Sequence, residues 1–186
     1  MAERPDLSRH ALVVVDVQRG FEDPSFGPRG NPDCEGNVAA LIAAWRAAGR
    51  PLVFVRHDWR EPGAPLEPGT PGHELKDVVS GEPDLLVSKE VHSAFGGDPD
   101  LDAWLRERDL DGIVVCGITT DHCVSTTVRD GGDRGYDVLL PLDATHTFDR
   151  TAHDGTTIPA DEVARANAAS LDDEFGTVVA TADLLT

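Results

Sequence analysis

The residue with the clearest chemical potential is Cys123, because it follows an apolar run and a turn of small residues. The stretch from Val114 to Asp130 reads Val-Val-Cys-Gly-Ile-Thr-Thr-Asp-His-Cys-Val-Ser-Thr-Thr-Val-Arg-Asp. Its first part predicts a buried strand and its second part a helix that begins at Cys123. A thiol at a helix N-terminus meets unpaired backbone N–H groups and the positive end of the helix dipole, and both favour the thiolate. We therefore expect Cys123 to be a nucleophile with a lowered pKa.

The other two cysteines lack this context. Cys116 ends the apolar run Ile113 to Val115 and is expected to fill the core, whereas Cys34 lies in a predicted loop rich in Gly, Pro and Asn. Three cysteines at irregular spacing form neither a disulfide framework nor a paired set of metal ligands. This usage favours a reducing compartment, and we expect a cytoplasmic protein.

The length and charge of the chain restrict its class. With 186 residues and no repeats or linkers, we expect one domain over residues 1–186. The formal net charge of −18 opposes binding to phosphate backbones and anionic membranes, so we expect no nucleic-acid partner. The stretch Met1 to His10 lacks the apolar segment of a signal peptide, and no apolar run approaches ~20 residues. We therefore expect a soluble protein without a membrane partner.

Short apolar segments alternate with helical patterns along the chain. Most apolar runs are too continuous to leave one face in water, which is typical of buried parallel strands. These runs are Ala11 to Val17, Leu52 to Val55, Leu85 to Val87, Ile113 to Cys116, Val138 to Leu142 and Thr177 to Ala180. The predicted helices are one with the apolar face Val38, Leu41, Ile42 and Trp45, ended by Gly49, and those over Leu101 to Arg108, Cys123 to Asp130 and Ala160 to Leu171. The alternation predicts an α/β fold, a doubly wound and mainly parallel six-stranded sheet with helices on both faces.

Three polar residues follow predicted strands. In such sheets the ligand lies beyond the carboxyl ends of the strands, near the point where the strand order reverses. Asp16 stands at the end of the first strand, Lys89 follows the third and Cys123 follows the fourth. A cysteine nucleophile needs a base to take its proton and a cation to hold the thiolate. We expect Asp16 to be that base and Lys89 that cation.

Three blocks of sequence carry a resemblance to a known family. They are Leu12-Val-Val-Val-Asp16-Val-Gln18-Arg-Gly-Phe21, Lys89-Glu-Val-His-Ser93-Ala94-Phe95 and Gly117-Ile118-Thr119-Thr120-Asp-His-Cys123-Val124. In this order they resemble the isochorismatase-like cysteine hydrolases, which include nicotinamidases, N-carbamoylsarcosine amidohydrolases and isochorismatases. Asp143-Ala144-Thr145 and Leu171 to Phe175 resemble the C-terminal half of that family. The resemblance implies a catalytic triad of Asp16, Lys89 and Cys123.

The resemblance also implies an unusual backbone at the nucleophile. The family has a non-proline cis peptide there, which corresponds to the bond between Ile118 and Thr119. The N–H groups of Thr119 and Cys123 would then form an oxyanion hole. For an amide, Cys123 would attack the carbonyl and Asp16 would pass the proton to the leaving amine. No organic cofactor is implied.

The metal site of nicotinamidases is the main departure from the family. Those enzymes carry an Asp-Trp-His run with a further histidine downstream, whereas the matching run here is Asp58-Trp59-Arg60. His57 and His73 are the alternative ligands to weigh, but histidines beside a strand end or in a loop are more often hydrogen-bonding or surface residues. We therefore expect no metal, and we interpret His122 as a surface residue or one behind the nucleophile.

Several further residues are candidates for the wall of the pocket. Aromatic walls are expected from Phe21, Trp59 and Phe95, and polar contacts from Arg60, His92 and His146. The Pro/Gly-rich segment Glu61 to Pro83 is long for a loop and is predicted to be a lid or a pocket wall.

These observations predict a cysteine hydrolase with a small-molecule substrate. The expected reaction is cleavage of the C–N bond of a small non-peptide amide, lactam, carbamoyl or ureido compound, and streptothricin hydrolases are the branch that we favour as closer kin. The alternatives are an isochorismatase-type vinyl ether hydrolase, a metal-dependent nicotinamidase and a non-catalytic scaffold. As in much of the family, we expect a homo-oligomer.

Overall fold

The computed structural model describes residues 5–185 and has a parallel sheet at its centre. Its strands are β1 (His10–Val15), β2 (Leu52–His57), β3 (Leu85–Lys89), β4 (Gly112–Ile118), β5 (Asp137–Pro141) and β9 (Thr177–Val179). They lie side by side in the order β3-β2-β1-β4-β5-β9, and all neighbours are parallel. The short β6 (Thr145–His146) pairs with the end of β4 as a seventh strand, while β7 (Arg150–Thr151) and β8 (Thr157–Ile158) form a separate hairpin. The predicted α/β architecture and all six predicted strands are confirmed.

Helices cover both faces of the sheet. They are α1 (Cys34–Ala47), α2 (Leu101–Arg106), α3 (Ser125–Asp133), α4 (Ala160–Leu171) and α5 (Thr181–Leu184). Alternate residues of β1 point to opposite faces, so that Leu12 packs in the core under α1 and Val13 packs in the core under α2 and α3. Within the sheet, β2 lies next to β1 on one side and β4 lies next to it on the other. The order therefore reverses at β1, where a ligand crevice is expected.

Two local predictions about the helices were wrong. Cys34 is not in a loop: it is the first residue of α1 and is completely buried. Cys123 does not begin a helix but lies inside a π-helical turn, Thr120–Val124, that runs directly into α3. By contrast, α1 ends as predicted, because Gly49 adopts the left-handed conformation (φ +64°) that favours glycine.

The long segment over residues 61–83 packs onto the chain that follows β1. Its one regular element is a short turn at Pro71–His73. A Cβ added to Gly20 would stand 2.1 Å from the carbonyl oxygen of Pro65, so only glycine permits this approach. Lys76 anchors the segment to α1, because its ammonium lies 2.8 Å from the carboxylate of Glu35. The segment is thus attached at several points.

The structure bears on the membrane expectation for the residues that it describes. Among residues 5–185, every helix is too short or too polar to cross a bilayer. The expectation drawn from Met1 to His10 falls partly on residues 1–4, which lie outside the described part of the chain.

Candidate active site

A buried ion pair forms the floor of the site. The ammonium Nζ of Lys89, the last residue of β3, lies 2.6 Å from Oδ2 of Asp16, which follows β1. Both side chains are completely removed from solvent. Asp16 has a positive φ of 52°, and its N–H donates to the carbonyl of Val55 in the neighbouring strand. The backbone thus turns sharply here and directs the carboxylate at Lys89.

Cys123 joins this pair, as the sequence predicted. One ligand atom from each of Asp16, His57 and Cys123 lies within 4.8 Å of the other two. Cys123 itself is 7% exposed and lines a cavity. Its carbonyl accepts a hydrogen bond from Thr127 Oγ1, which in turn accepts one from the N–H of Ala94. The turn that contains Cys123 is thereby attached to the segment that follows Lys89.

The prediction that Cys123 has a lowered pKa was wrong. Burial raises the pKa of the thiol, the carboxylate of Asp16 raises it further, and Lys89 acts in the opposite direction. Two backbone N–H groups near the thiol already have acceptors, since those of His122 and Val124 both donate to the carbonyl of Thr119. Without a substrate Cys123 is therefore a thiol, and the carboxylate of Asp16 lies beside it.

The backbone before Cys123 has the form that the family resemblance implied. The peptide bond between Ile118 and Thr119 is cis. Gly117 precedes it with φ +122°, and a Cβ there would clash with the carbonyl of Val15. Thr119 is buried and lines the same cavity as Cys123. The oxyanion hole from the N–H groups of Thr119 and Cys123 stays a prediction.

The cavity beside Cys123 has a volume of about 440 Å³. Its apolar side is lined by Phe21, Phe26, Trp59 and Leu66. Its polar side is lined by His57, Glu90, His92, Thr119, His122 and Arg150. Phe21, Trp59 and His92 are thus in the wall where the sequence analysis expected them, and Leu66 brings the segment 61–83 into that wall.

Three predicted wall residues lie elsewhere. Phe95 faces the core, where its ring stacks on Tyr136 with centroids 5.7 Å apart. His146 is 1% exposed and packs edge-on against Phe148, and its burial lowers its pKa to about 4. Arg60 points to solvent and pairs with Glu90, 2.5 Å away, outside this cavity. The expectation that these three line the cavity beside Cys123 was wrong.

The basic residue in the cavity wall is Arg150, which the sequence analysis missed. Its guanidinium holds Asp121 through two hydrogen bonds of 2.7 and 3.0 Å. Burial would raise the pKa of Asp121, but Arg150 and Thr147 together lower it to about 2. No local pattern marks Arg150, because it comes from the small β7–β8 hairpin. The sequence feature that could have indicated a basic partner in the wall was the carboxylate of Asp121, two residues before Cys123.

The residues present do not fit the metal site of the nicotinamidases. Asp58 Oδ1 lies 2.7 Å from His73 Nε2, but Arg60 occupies the third position and its guanidinium lies 3.4 Å from Asp58 Oδ2. A guanidinium has no lone pair to offer a metal. A second possible set of metal ligands consists of Asp16, His57 and Cys123. The Lys89 ammonium already contacts two of these residues, Asp16 and His57.

Comparison with known proteins places this fold and site in a class. The isochorismatase domain model matches residues 10–181. A solved structure of an isochorismatase-family protein from Chromobacterium violaceum superposes with a TM-score of 0.92 at 39% identity, covering 98% of this chain and 95% of the other. The chain therefore belongs to the isochorismatase family, and it is a hydrolase of that family.

Curated relatives cover most of the chain. YrdC of Bacillus subtilis (strain 168), an uncharacterized isochorismatase family protein, is 33% identical over 178 residues, which are 95% of each chain. Streptothricin hydrolase of Streptomyces noursei is 36% identical over 170 residues, 88% of this chain and 66% of the hydrolase. The ureidoacrylate amidohydrolase RutB of Methylobacterium radiotolerans is 31% identical over 171 residues, 73% of this chain and 66% of RutB.

Proposed function

We propose that this protein is a cysteine amidohydrolase that cleaves the C–N bond of a small non-peptide amide, lactam, carbamoyl or ureido compound. The observation that carries the proposal is the placing of a cavity-lining thiol, Cys123, next to the completely buried pair of Asp16 and Lys89. The group of relatives supports it, since two of them are named as a streptothricin hydrolase and a ureidoacrylate amidohydrolase.

The reaction uses two covalent steps. Asp16 takes the proton of the Cys123 thiol as the sulfur attacks the substrate carbonyl carbon. The negative charge moves to the carbonyl oxygen, which the N–H groups of Thr119 and Cys123 stabilise. Asp16 then gives its proton to the leaving nitrogen as the C–N bond breaks and a thioester remains.

Water completes the cycle. It attacks the thioester carbonyl while Asp16 accepts one of its protons, and the C–S bond then breaks. Asp16 returns the proton to the sulfur, so that the free thiol and the acid product result. The Lys89 ammonium offsets the negative charge in the steps in which that charge resides on Asp16 or on the sulfur. None of these steps needs a metal or an organic cofactor.

The cavity favours a small substrate with an apolar part. A volume of about 440 Å³ lies in the lower range of ligand pockets and suits one or two rings rather than a peptide. The lining offers the aromatic rings of Phe21, Phe26 and Trp59, together with histidines and Arg150 as hydrogen-bonding groups. The net charge of −18 further disfavours polyanionic substrates.

The residues that line the cavity give less support to the alternative reaction, hydrolysis of a vinyl ether. An isochorismate-like dicarboxylate calls for unpaired cationic groups, but Arg150 is already paired with Asp121. Glu90, the acidic residue of the wall, is itself paired with Arg60. We therefore favour neutral amides. We also propose a cytoplasmic location, which the three free cysteines support.

The test is a panel of small amides, lactams, carbamoyl and ureido compounds incubated with the purified protein. Release of ammonia or amine is measured, with isochorismate in parallel. Turnover of at least one C–N substrate, abolished in Cys123→Ala, supports the proposal. Turnover of the vinyl ether alone, or amide turnover that survives in folded Cys123→Ala, would overturn it.

A further inference from the structure

His57 makes a contact that the proposed mechanism does not use. The Nζ atom of Lys89 lies 3.0 Å from Nδ1 of His57, in addition to its 2.6 Å contact with Asp16. His57 and Lys89 are partners in the register of the parallel strands β2 and β3. The ammonium is completely buried, so its N–H groups have no bulk water to bind. Each protein acceptor around it therefore matters.

The chemistry of the contact determines how His57 is protonated. An ammonium can only donate hydrogen bonds, so Nδ1 must accept and the ring proton must be on Nε2. Burial lowers the pKa of His57, and the charge of Lys89 lowers it further, while Asp16 and Asp58 act in the opposite direction. The imidazole is thus neutral and presents its lone pair to Lys89.

The backbone of His57 is held firmly in place. The amide side chain of Gln18 accepts a hydrogen bond from the His57 N–H at 2.8 Å and donates one to the His57 carbonyl at 3.1 Å. Gln18 is completely buried and lies two residues after Asp16. The acceptor on His57 and the carboxylate of Asp16 are therefore fixed by one short stretch of chain.

We propose that His57 is a positioning residue, whose Nδ1 holds one N–H of Lys89 so that the ammonium stays directed at both Asp16 and the sulfur of Cys123. This inference deepens the proposed function and rests on it. The sulfur of Cys123 lies within 4.8 Å of a carboxylate oxygen of Asp16 and a ring nitrogen of His57, and the charge of Lys89 favours its thiolate. The ammonium has three N–H groups, and Asp16 and His57 hold two of them, which leaves the third to be directed at the sulfur. Without His57 it can turn toward Asp16 and leave the thiolate without its cation.

Three substitutions at one position separate this role from general packing. His57→Leu removes the acceptor, His57→Asn keeps an acceptor near the place of Nδ1, and His57→Gln places its acceptor nearer Nε2. We expect His57→Leu to lower kcat roughly 100-fold with KM within about twofold, on the scale of one hydrogen bond to a charged group. His57→Asn should recover kcat to within about tenfold of wild type, and His57→Gln should not.

A second readout does not depend on knowing the substrate. The rate at which iodoacetamide alkylates Cys123, followed by mass spectrometry of its peptide, reports stabilisation of the thiolate. It should fall in His57→Leu and recover in His57→Asn. His73→Leu is the matched control, because His73 contacts Asp58 and not Lys89. That control should alkylate at the wild-type rate.

The outcomes are distinct from those of the substrate panel. If no amide is hydrolysed but alkylation follows the Leu, Asn and Gln pattern, the positioning role stands and the proposed substrate class fails. Wild-type kcat and alkylation in folded His57→Leu would overturn the inference. A rise in KM alone, or equal losses in all three variants, would also overturn it, because either result makes His57 a substrate contact or a packing residue.

Discussion

Lys89 is the residue on which the electrostatics of the site depend. Its ammonium is completely buried and is compensated by Asp16 and His57 at 2.6 and 3.0 Å. Removing one partner from such a pair leaves an uncompensated charge, which typically costs about 3 to 5 kcal/mol. Well-packed apolar residues are often at least as stable as a buried ion pair, so stability alone does not account for this pair.

Retaining the charge of Lys89 is not sufficient for activity. A planar guanidinium is broader than an ammonium and cannot satisfy two acceptors at these distances without moving them. We expect Lys89→Arg to lower kcat by roughly 100-fold or more, because the reacting groups are displaced. Steady-state kinetics on a substrate from the panel, with circular dichroism to verify folding, measures this. Wild-type rates in Lys89→Arg would make Lys89 a bystander.

The raised pKa of Cys123 predicts how the free enzyme reacts. Below its pKa a thiol gains about tenfold in thiolate for each pH unit. We therefore expect alkylation of Cys123 by iodoacetamide to rise from pH 6 to pH 9.5 without levelling off near neutrality. Cys34 and Cys116 are completely buried and should react far more slowly. A plateau reached by pH 7 would show that the thiolate forms without substrate.

At the scale of elements, the end of β2 and the segment 61–83 decide the question of a metal. The segment brings His73 to Asp58, but Arg60 neutralises the same carboxylate from the other side. Two oxygen or nitrogen ligands beside a fixed guanidinium are too few for a closed or a catalytic zinc site. The contact of Asp58 with His73 instead connects the end of β2 with the segment that contributes Leu66 to the cavity.

We therefore expect the hydrolase to be independent of metal ions. Activity on the best substrate of the panel should be unchanged after dialysis against a strong chelator, with elemental analysis of the same sample. Arg60→His offers the comparison, because it gives Asp58 and His73 a third ligand and should increase zinc uptake. Loss of wild-type activity that zinc, manganese or iron restores would contradict this expectation.

At the scale of the whole molecule, a buried histidine makes stability depend on pH. His146 is 1% exposed, and neither of its ring nitrogens has a hydrogen-bond partner among the described residues. Burial, with help from the charge of Arg29, lowers its pKa from 6.5 to about 4. Between these two values the unfolded chain binds a proton that the folded protein does not. The free energy of unfolding must therefore fall as the pH drops through this window.

This linkage predicts the behaviour of His146→Leu. Above about pH 6.5 the contribution of His146 to the free energy of unfolding does not change with pH. By pH 4 it lowers the stability of the wild-type protein by up to about 3 kcal/mol. The variant lacks this loss, so its stability relative to wild type should rise by that amount between pH 7 and pH 4 in urea titrations. The Asp121 ion pair does not interfere, because it is present in both proteins and its loss at low pH cancels in the difference. Parallel pH profiles would refute the assignment.

The amino-acid sequence by itself determined the framework of this protein. Continuous apolar runs such as Ile113 to Cys116 can satisfy their backbone and bury both faces only as inner strands of a parallel sheet. The carboxyl ends of such strands meet at one edge, which is why Asp16, Lys89 and Cys123 were predictable as neighbours. Burial of every residue of β1 and β4 reflects the same pattern.

Only the tertiary structure decided which side chains complete the site and how its groups ionise. Phe95 faces the core and Arg150 faces the cavity because side-chain direction depends on packing between elements distant in sequence. The pKa of Cys123 is raised because burial and the neighbouring Asp16 outweigh the charge of Lys89, and burial is a property of the whole fold. His57 contacts Lys89 for the same reason: strand register, which pairs β2 with β3, is set in three dimensions.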